Sequence, residues 1–341
     1  MRPGKLSESV LKRSVLKQIK TKRDEVIRGA AVGEDCAFFS FDTGEGCLLT
    51  TAPIMVDEFE NIAFQLTAIV NNVAASGGEP TGVLVSSILP DKTLESVVQR
   101  LSGEMERACK SLNLQIAGGN TMITKGVNKP VLNVTVVGKK KLALHEDFHQ
   151  YKAGMDIIMT KWAGVAGTAI LAEKEQQKLE NRLPSYIVEN GKDLRGDISV
   201  LQESRTAMMV GAQGMHDISR GGVFSALWEL AERGNIGIEV DLKKIPMRQE
   251  TIEICEILGV NPYELYGAGS LLVVSDKGNE IIHELEKLEI PATIIGKTTD
   301  DNGKVLLNGE EVRFLDRPKK WKWTSNECFI IRNQGIHGRI M

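Results

Sequence analysis

Five glycine-rich segments recur at the ends of the predicted helices and strands of this chain. Glycine inside a helix costs about 1 kcal/mol relative to alanine, so glycines at element ends indicate turns or close backbone approach. Most of the segments also carry a polar or charged side chain. Because backbone N–H groups in such turns can surround an anion, the pattern favours a polyanion-binding protein. The segments are GED (33–35), SGGEP (76–80), AGGNT (117–121), AGVAGT (163–168) and SRGG (219–222).

The last segment lies in HDISRGGVFSALWELAERG, residues 216–234, which joins a polar front half to an amphipathic helix. Apolar residues in the second half recur at the spacing of one helical face. Two interpretations of the front half are open. It is a tight turn with a serine cap, or it is an anion site formed by Arg220 and the N–H groups of Gly221 and Gly222. Asp217 orients Arg220 or a substrate in the second, and accepts a helix-cap hydrogen bond in the first.

Composition and charge narrow the classes of function. The net charge of −3 gives no support for binding nucleic acid or an anionic membrane. We interpret the basic segment DRPKKWKWT (316–324) as a solvated stretch over packed tryptophans. No run of 18 apolar residues and no apolar leader occur, so we expect neither a membrane span nor a secretion signal. Five cysteines without a CxxC pair predict reduced thiols in a cytoplasmic protein, and zinc is not expected.

The order of predicted elements indicates an α+β chain of two domains. A chain of 341 residues exceeds one usual core, and a polar stretch places the boundary near residue 148, giving domains 1–148 and 149–341. In the first domain, AGGNT is predicted as a glycine turn after a strand. In the second, the polar segment 174–197 is predicted as an exposed excursion. Strands and helices do not alternate strictly, which favours α+β over a doubly wound sheet.

An ordered set of motifs resembles the AIR synthetase-like (PurM-like) superfamily. HDISRGGV, IGIEVDLKKIPM and NPYELYGAGSLLVV resemble its C-terminal domain. GKLSESVLKR, GEDCAFF, VNNVAASGGEP and AGGNT resemble its N-terminal domain, in the same order. The chain is most similar to the HypE-like hydrogenase maturation factors, and the resemblance runs from about Gly4 to about Phe314.

The resemblance implies a homodimer whose N-terminal mixed sheets join into a barrel, each followed by a C-terminal α/β sandwich domain. ATP would lie in a groove between the protomers, with Mg²⁺, and would phosphorylate an acyl or carbamoyl-type oxygen. Another maturation protein as partner is a further expectation. Asp217 and Arg220 are implied as catalytic, and Asp35 also as the metal ligand. The implied nucleotide contacts are Lys5, Gly33, Asp35, Asn72, Gly118, Gly119, Asn120, Thr121, Gly164, Gly167, Gly221 and Gly222.

The sequence departs from the family pattern at three of four carboxylate positions. Asp35 keeps the first, whereas Ala52, Asn72 and Asn120 occupy the others. Magnesium prefers charged oxygen ligands, and losing three of them weakens binding on the order of several kcal/mol. The chain ends in GIHGRIM, without the C-terminal cysteine that carries HypE chemistry. A pseudoenzyme or binding scaffold with a degenerate Mg-ATP site is therefore the alternative hypothesis.

Overall fold

The computed structural model describes residues 4–5, 8–28, 30, 38–39, 41–42, 44–56, 61–144, 148 and 150–317. Gly33 and Asp35 of the expected nucleotide site lie outside these residues, as does the tail GIHGRIM. Between residues 146 and 147 the chain divides into two compact units. Each unit has its own mixed sheet with helices packed on it, which is an α+β architecture.

The first unit contains the following elements in chain order: β1 (Gly4–Lys5), α1 (Glu8–Ser14), β2 (Val26–Arg28), β3 (Phe38–Phe39), β4 (Glu45–Met55), α2 (Asn61–Ala75), β5 (Glu79–Pro90), α3 (Glu95–Ser111), β6 (Gln115–Thr124) and β7 (Val131–Lys141).

Five of its described strands form one sheet in the order β1-β6-β5-β7-β4. β5 pairs in parallel with β6, and the other neighbours pair antiparallel. The helix α2 buries Leu66, Val70 and Val73 against β4, β5 and β7. The approach is close, since a Cβ on Gly138 of β7 would lie 2.4 Å from the Val73 side chain. The helices α2 and α3 therefore lie on one face of the sheet, and the opposite face is called the open face.

The segment AGGNT is part of β6, so the predicted glycine turn is wrong. A bulge interrupts the pairing of β5 with β6, because Val83 pairs with Ile116 and Leu84 pairs with Gly118. At Gly119, φ is 147° and a Cβ would lie 1.9 Å from the Val85 carbonyl oxygen. Glycines inside a strand commonly mark bulges and close backbone approach. Here that approach is made by the neighbouring strand.

The second unit contains, in chain order, β8 (Asp156–Thr160), α4 (Val165–Lys174), α5 (Gln176–Glu180), α6 (Ser185–Asp193), α7 (Leu201–Val210), β9 (Gly214–Asp217), α8 (Gly222–Gly234), β10 (Gly237–Asp241), α9 (Gln249–Leu258), β11 (Leu271–Ser275), α10 (Gly278–Glu286), β12 (Ala292–Thr299), β13 (Lys304–Asn308) and β14 (Glu311–Phe314).

Its described strands form a sheet in the order β14-β13-β10-β12-β8-β11-β9. The strand β8 pairs antiparallel with β11 and β12, β9 pairs antiparallel with β11, and β10 pairs antiparallel with β12. The strands β8, β9 and β10 consequently run in one direction. Their carboxyl ends meet at one side of the sheet, here called the carboxyl edge, which comprises residues 161–164, 218–221 and 242–248.

The predicted exposed excursion at 174–197 is wrong, because most of this segment is helical and partly buried. It forms α5, α6 and a 3-10 turn, Leu194–Asp197. Leu179 and Val188 lie in a core with Ile254 and Leu265. Only a few widely spaced apolar residues face inward, so the local pattern resembles that of a solvated loop.

The segment 261–270 packs tightly against the starts of α4 and α8. A Cβ on Gly167 would lie 2.4 Å from Leu265 Cγ, and one on Gly222 would lie 2.4 Å from the Tyr263 carbonyl oxygen. Gly164 also faces Leu265, at 2.9 Å from Cδ2. These glycines therefore accommodate the chain's own backbone and core.

Substituting Gly222 should cost more than substituting a glycine of similar conformation in open space. Gly222 has φ 65° and Gly259 has φ 67°, but nothing lies within 4 Å of a Cβ on Gly259. We expect Gly259→Ala to lower the free energy of unfolding by about 1 kcal/mol through backbone strain. Gly222→Ala should lower it by about 2 kcal/mol more through the clash. Chemical denaturation of both variants measures the difference, and equal losses would contradict the packing argument.

Candidate functional site

The junction between β9 and α8 carries the arginine and carboxylate that the sequence singled out. Gly221 and Gly222 begin the helix with φ 87° and 65°. The Gly222 N–H donates to the Ser219 carbonyl oxygen at 3.1 Å, and the Phe224 N–H donates to the Tyr263 carbonyl oxygen at 3.3 Å. Two donors that an anion would use are thus engaged within the chain. Gly221 and Gly222 shape the turn, and Arg220 adds an exposed guanidinium to it.

Asp217 is a buried carboxyl at the end of β9, with 9% of its surface exposed. Burial raises its pKa, His216 and its own backbone N–H oppose the rise, and Glu229 adds to it. Burial raises the pKa of Tyr266 to about 12, and the charges of Arg220 and Asp217 shift it in opposite directions, down and up respectively. Tyr266 therefore lies close to both residues. Arg220 itself is exposed. A carboxyl, a phenol and a guanidinium therefore share this junction.

Lys161 lies at the same carboxyl edge, but its ammonium group is enclosed by acceptors of the chain itself. Its Nζ donates to the carbonyl oxygens of Asp197 at 2.8 Å and Ser199 at 2.6 Å. Glu203 Oε1 lies 2.6 Å away in a buried ion pair. The two carbonyl oxygens take two of the three ammonium donors, and Glu203 Oε1 neutralises the charge without a hydrogen bond. Lys161 pins the segment before α7 and is not available to a ligand.

The open face of the first unit carries a row of neutral polar residues across four strands. Thr135 Oγ1 lies 3.1 Å from Thr51 Oγ1, and Asn133 Nδ2 lies 3.4 Å from the same oxygen. Ser86 pairs in register with Asn133 on one side and with Asn120 on the other. Apart from Asn120, sequence reasoning missed these residues, although the two-residue repeat of strands could have placed them on one face.

The two expected asparagine ligands lie on opposite sides of this sheet. Asn72 Nδ2 donates to Thr50 Oγ1 at 3.4 Å on the face covered by α2, whereas Asn120 lies on the open face. Three strand spacings of about 4.8 Å separate β4 from β6, so the two side chains are on the order of 14 Å apart. Ala52 offers no ligand atom. Within one protomer, Asn72 and Asn120 cannot hold the same cation.

The described residues do not fit the magnesium site that the family implies. Among them, no group of three or more His, Cys, Asp or Glu side chains lies close enough to hold a metal ion. Asp35 lies outside the described residues. Lys5 pairs with Met122 through β1, and Thr121 lies in β6 beside Ser87. Lys5 and Thr121 therefore lie in the strands that border the polar row.

Two family models match the chain in the expected order. The N-terminal domain of AIR synthase related proteins matches residues 33–139, and the C-terminal domain matches residues 152–308. The chain belongs to the AIR synthase-related family. The resemblance to the PurM-like superfamily, close to HypE, is confirmed, and so is the two-domain α+β fold.

Some of the relatives of this chain are named as hydrogenase maturation proteins. A putative hydrogenase expression/formation protein of Methanocaldococcus jannaschii is 26% identical over 263 residues, covering 76% of each chain. Carbamoyl dehydratase HypE of Rhodobacter capsulatus is 26% identical and covers 72% of this chain and 69% of its own. A HypE structure in complex with ATP aligns with a TM-score of 0.74 at 18% identity, covering 92% of this chain and 94% of that one. A HypE–HypF complex aligns at 0.66 and 20%, covering 82% and 92%.

Within the described part of the chain, no helix combines the length and the apolar character needed to cross a membrane.

The buried carboxyl of Asp217 should destabilise the folded protein at neutral pH. Its raised pKa means that folding disfavours the ionised form, so the stability it contributes at low pH is lost as pH rises through the folded pKa. We expect Asp217→Asn to raise the free energy of unfolding at pH 7 by on the order of 1 kcal/mol. The gain should vanish below about pH 4, the ordinary range of an aspartate. Denaturation across this pH range measures it.

Asp301 provides a control of opposite sign. Hydrogen bonds from Thr299 and the Gly303 N–H lower its pKa, so its ionised form stabilises the fold above the unfolded value. Asp301→Asn should therefore lower stability at pH 7 and leave it unchanged at acidic pH. A loss of stability at pH 7 in Asp217→Asn would contradict the interpretation of Asp217.

Proposed function

We propose that this protein is an ATP-binding, HypE-like protein that activates an acyl or carbamoyl-type oxygen by phosphoryl transfer in a maturation pathway. The observation that carries the proposal is that the exposed Arg220 and the buried carboxyl of Asp217 lie in the same β9–α8 junction. The complex of HypE with ATP supports the choice of nucleotide. The HypE–HypF complex supports another maturation protein as partner.

Arg220 and Asp217 have complementary roles in this proposal. A transferring phosphoryl group spreads negative charge over its oxygens, and a guanidinium stabilises that charge through paired N–H donors. Burial raises the pKa of the Asp217 carboxyl, which favours proton exchange between this group and the acceptor. Gly221 and Gly222 let the chain turn sharply enough to present Arg220 at the helix start. None of these roles passes through a metal ion.

The first unit contributes neutral polar contacts in the proposal. Asn120 on the open face has an amide group that can donate to phosphate oxygens. Asn72 lies on the covered face, where its amide donates to Thr50, and is not assigned a phosphate contact. Gly118, Gly119 and Thr121 position Asn120 within β6. The neighbouring row of hydroxyl and amide groups can bind an anion by hydrogen bonds without adding charge.

A homodimer formed through the open face would cover two exposed apolar side chains of β4. Leu49 and Met55 of β4 are 66% and 42% exposed, and both lie on the open face. Leaving such side chains in water forgoes the burial that stabilises a sheet face. Two copies joined at this face would form the barrel typical of the superfamily.

The alternative function is a binding scaffold without turnover. It is favoured by the lack of a metal-binding carboxylate cluster in the described residues. This alternative predicts nucleotide binding or protein binding with no phosphate release. Release of phosphate from ATP that is abolished by Asp217→Asn would exclude it.

Removing Arg220 should weaken ATP binding. We expect calorimetry to detect ATP binding by the wild type with and without Mg²⁺, and Arg220→Ala to weaken it at least tenfold, since a charge-assisted contact is lost. Arg233 lies at the other end of α8 and is also exposed. Arg233→Ala removes the same charge and should change the affinity less than twofold. No binding at millimolar ATP in either condition would refute the proposed function.

A charge on the open face should prevent dimer formation. Leu49 is 66% exposed on the open face, and Leu94 is 65% exposed just before α3. We expect Leu49→Glu to convert the dimer into a monomer in sedimentation experiments, because an unpaired buried charge is strongly unfavourable. Leu94→Glu is the matched control and should remain dimeric. A wild-type protein that is monomeric at micromolar concentration would contradict the dimer.

A further inference from the structure

The carboxyl edge holds a second arginine whose orientation is fixed from two sides. Arg248 follows the β10 connection and precedes α9. Its guanidinium carbon lies 4.9 Å from the centre of the Trp162 ring. Its Nε and Nη2 donate to the two carboxylate oxygens of Glu250 at 3.2 and 3.4 Å. Stacking on an aromatic face together with a bidentate carboxylate contact holds the plane of a guanidinium in place.

The carboxylate that holds Arg248 is itself fixed. Glu250 is 6% exposed and accepts from Asn190 Nδ2 at 3.2 Å. A guanidinium has five N–H donors, and Glu250 receives two of them. The remaining three have no acceptor among the hydrogen bonds of the described residues, and the Arg248 side chain stays 39% exposed. This differs from Lys161, whose buried ammonium group is enclosed by two carbonyl oxygens and a carboxylate of the chain itself.

Backbone contacts connect Arg248 to the Arg220 junction through the segment 261–270. The Ala163 N–H donates to the Pro246 carbonyl oxygen at 2.9 Å, which joins the loops of Trp162 and Arg248. Ser270 Oγ donates to the Trp162 carbonyl oxygen at 2.6 Å. Three residues before Ser270, the same segment also contacts the β9–α8 turn, where the Gly267 N–H donates to the Ser219 carbonyl oxygen at 3.2 Å. Arg220 and Arg248 thus flank one short segment.

We propose that Arg248, held by Trp162 and Glu250, is a second oxyanion-binding site that takes a carboxylate or phosphate group of the acceptor molecule. The open edge of the guanidinium matches two oxygens of such a group in a bidentate contact. Binding there positions the acceptor at the carboxyl edge, to which Arg220 also belongs. The identification of the ligand as the acceptor rests on the proposed function, whereas the oxyanion site itself does not.

The test uses the full chain carrying Arg220→Ala, which removes the other exposed guanidinium described at this edge. Inorganic phosphate and acetate are titrated at constant ionic strength by calorimetry and by tryptophan fluorescence. We expect saturable phosphate binding in the millimolar range, with a fluorescence change that Trp162→Phe abolishes. Adding Arg248→Lys keeps the charge but loses the second guanidinium edge, and should weaken binding at least tenfold. Arg248→Gln should abolish it, and far-UV circular dichroism confirms folding.

The matched control is Arg195→Lys. Arg195 Nη2 pairs with Glu173 Oε2 at 2.9 Å on a part-exposed surface. The control therefore makes the same arginine-to-lysine change in another arginine–glutamate pair of this unit. It should change phosphate affinity less than twofold. Equal phosphate affinity with and without the Arg248→Lys substitution, or no saturable binding by the parent, overturns the proposal. Binding of phosphate alone indicates a phosphate-bearing acceptor, and binding of acetate as well indicates a carboxylate; both support the site.

ATP binding by Arg248→Lys alone separates this inference from the proposed function. We expect that variant to bind ATP within threefold of the wild type, because the proposed function assigns the nucleotide contact at this edge to Arg220. A phosphate response at Arg248 in a protein that binds no ATP would sustain the oxyanion site and refute the proposed function. A tenfold loss of ATP affinity in Arg248→Lys would overturn the assignment of Arg248 to the acceptor.

Discussion

The close packing of the segment 261–270 against glycine backbone is the constraint on which the carboxyl edge depends. A Cβ at Gly222 or Gly167 would meet Tyr263 or Leu265 at 2.4 Å, so these two helices can begin where they do only with glycine. The same packing brings Tyr266 beside Asp217 and Arg220. Glycines that a sequence pattern associates with a phosphate cradle are used here to bring the chain's own segments together. The chemistry of the edge depends on the side chains that this packing presents.

The distribution of hydrogen-bond partners decides which cations of this edge can meet a ligand. Lys161 is buried, donates hydrogen bonds to two carbonyl oxygens and forms an ion pair with Glu203. Arg248 has a partner for only part of its guanidinium. Burial of a lysine requires full pairing because an unpaired buried charge is costly, whereas the planar guanidinium can serve a structural and a ligand partner at once. Residue type and burial together separate structural from binding cations.

The first unit carries neutral residues where the family resemblance implies acidic ones. Those positions are Ala52, Asn72 and Asn120, and the open face carries neutral hydroxyl and amide groups around Asn120. Neutral donors can bind phosphate oxygens but hold a divalent cation poorly. Under the proposed function, this exchange of residues predicts nucleotide binding with reduced dependence on magnesium; under the alternative, it predicts binding without turnover. In the proposed function, the positive charge that the phosphates require is supplied by arginine.

The sequence by itself determined the family, the α+β class, the amphipathic helix after SRGG and the three neutral positions, because these depend on local periodicity and on residue identity. The tertiary structure alone decided that AGGNT continues through β6, that 174–197 folds into helices on a shared core, and that Asn72 and Asn120 lie on opposite faces. It also decided that the ammonium group of Lys161 is enclosed by internal partners and that the guanidinium of Arg248 is partly exposed. Each of these outcomes rests on contacts between residues distant in sequence, such as Gly119 with Val85 or Gly222 with Tyr263. A local pattern records the spacing of apolar and glycine residues, but the partner that fills the space beside a glycine or a charge is set by the packing of the whole unit.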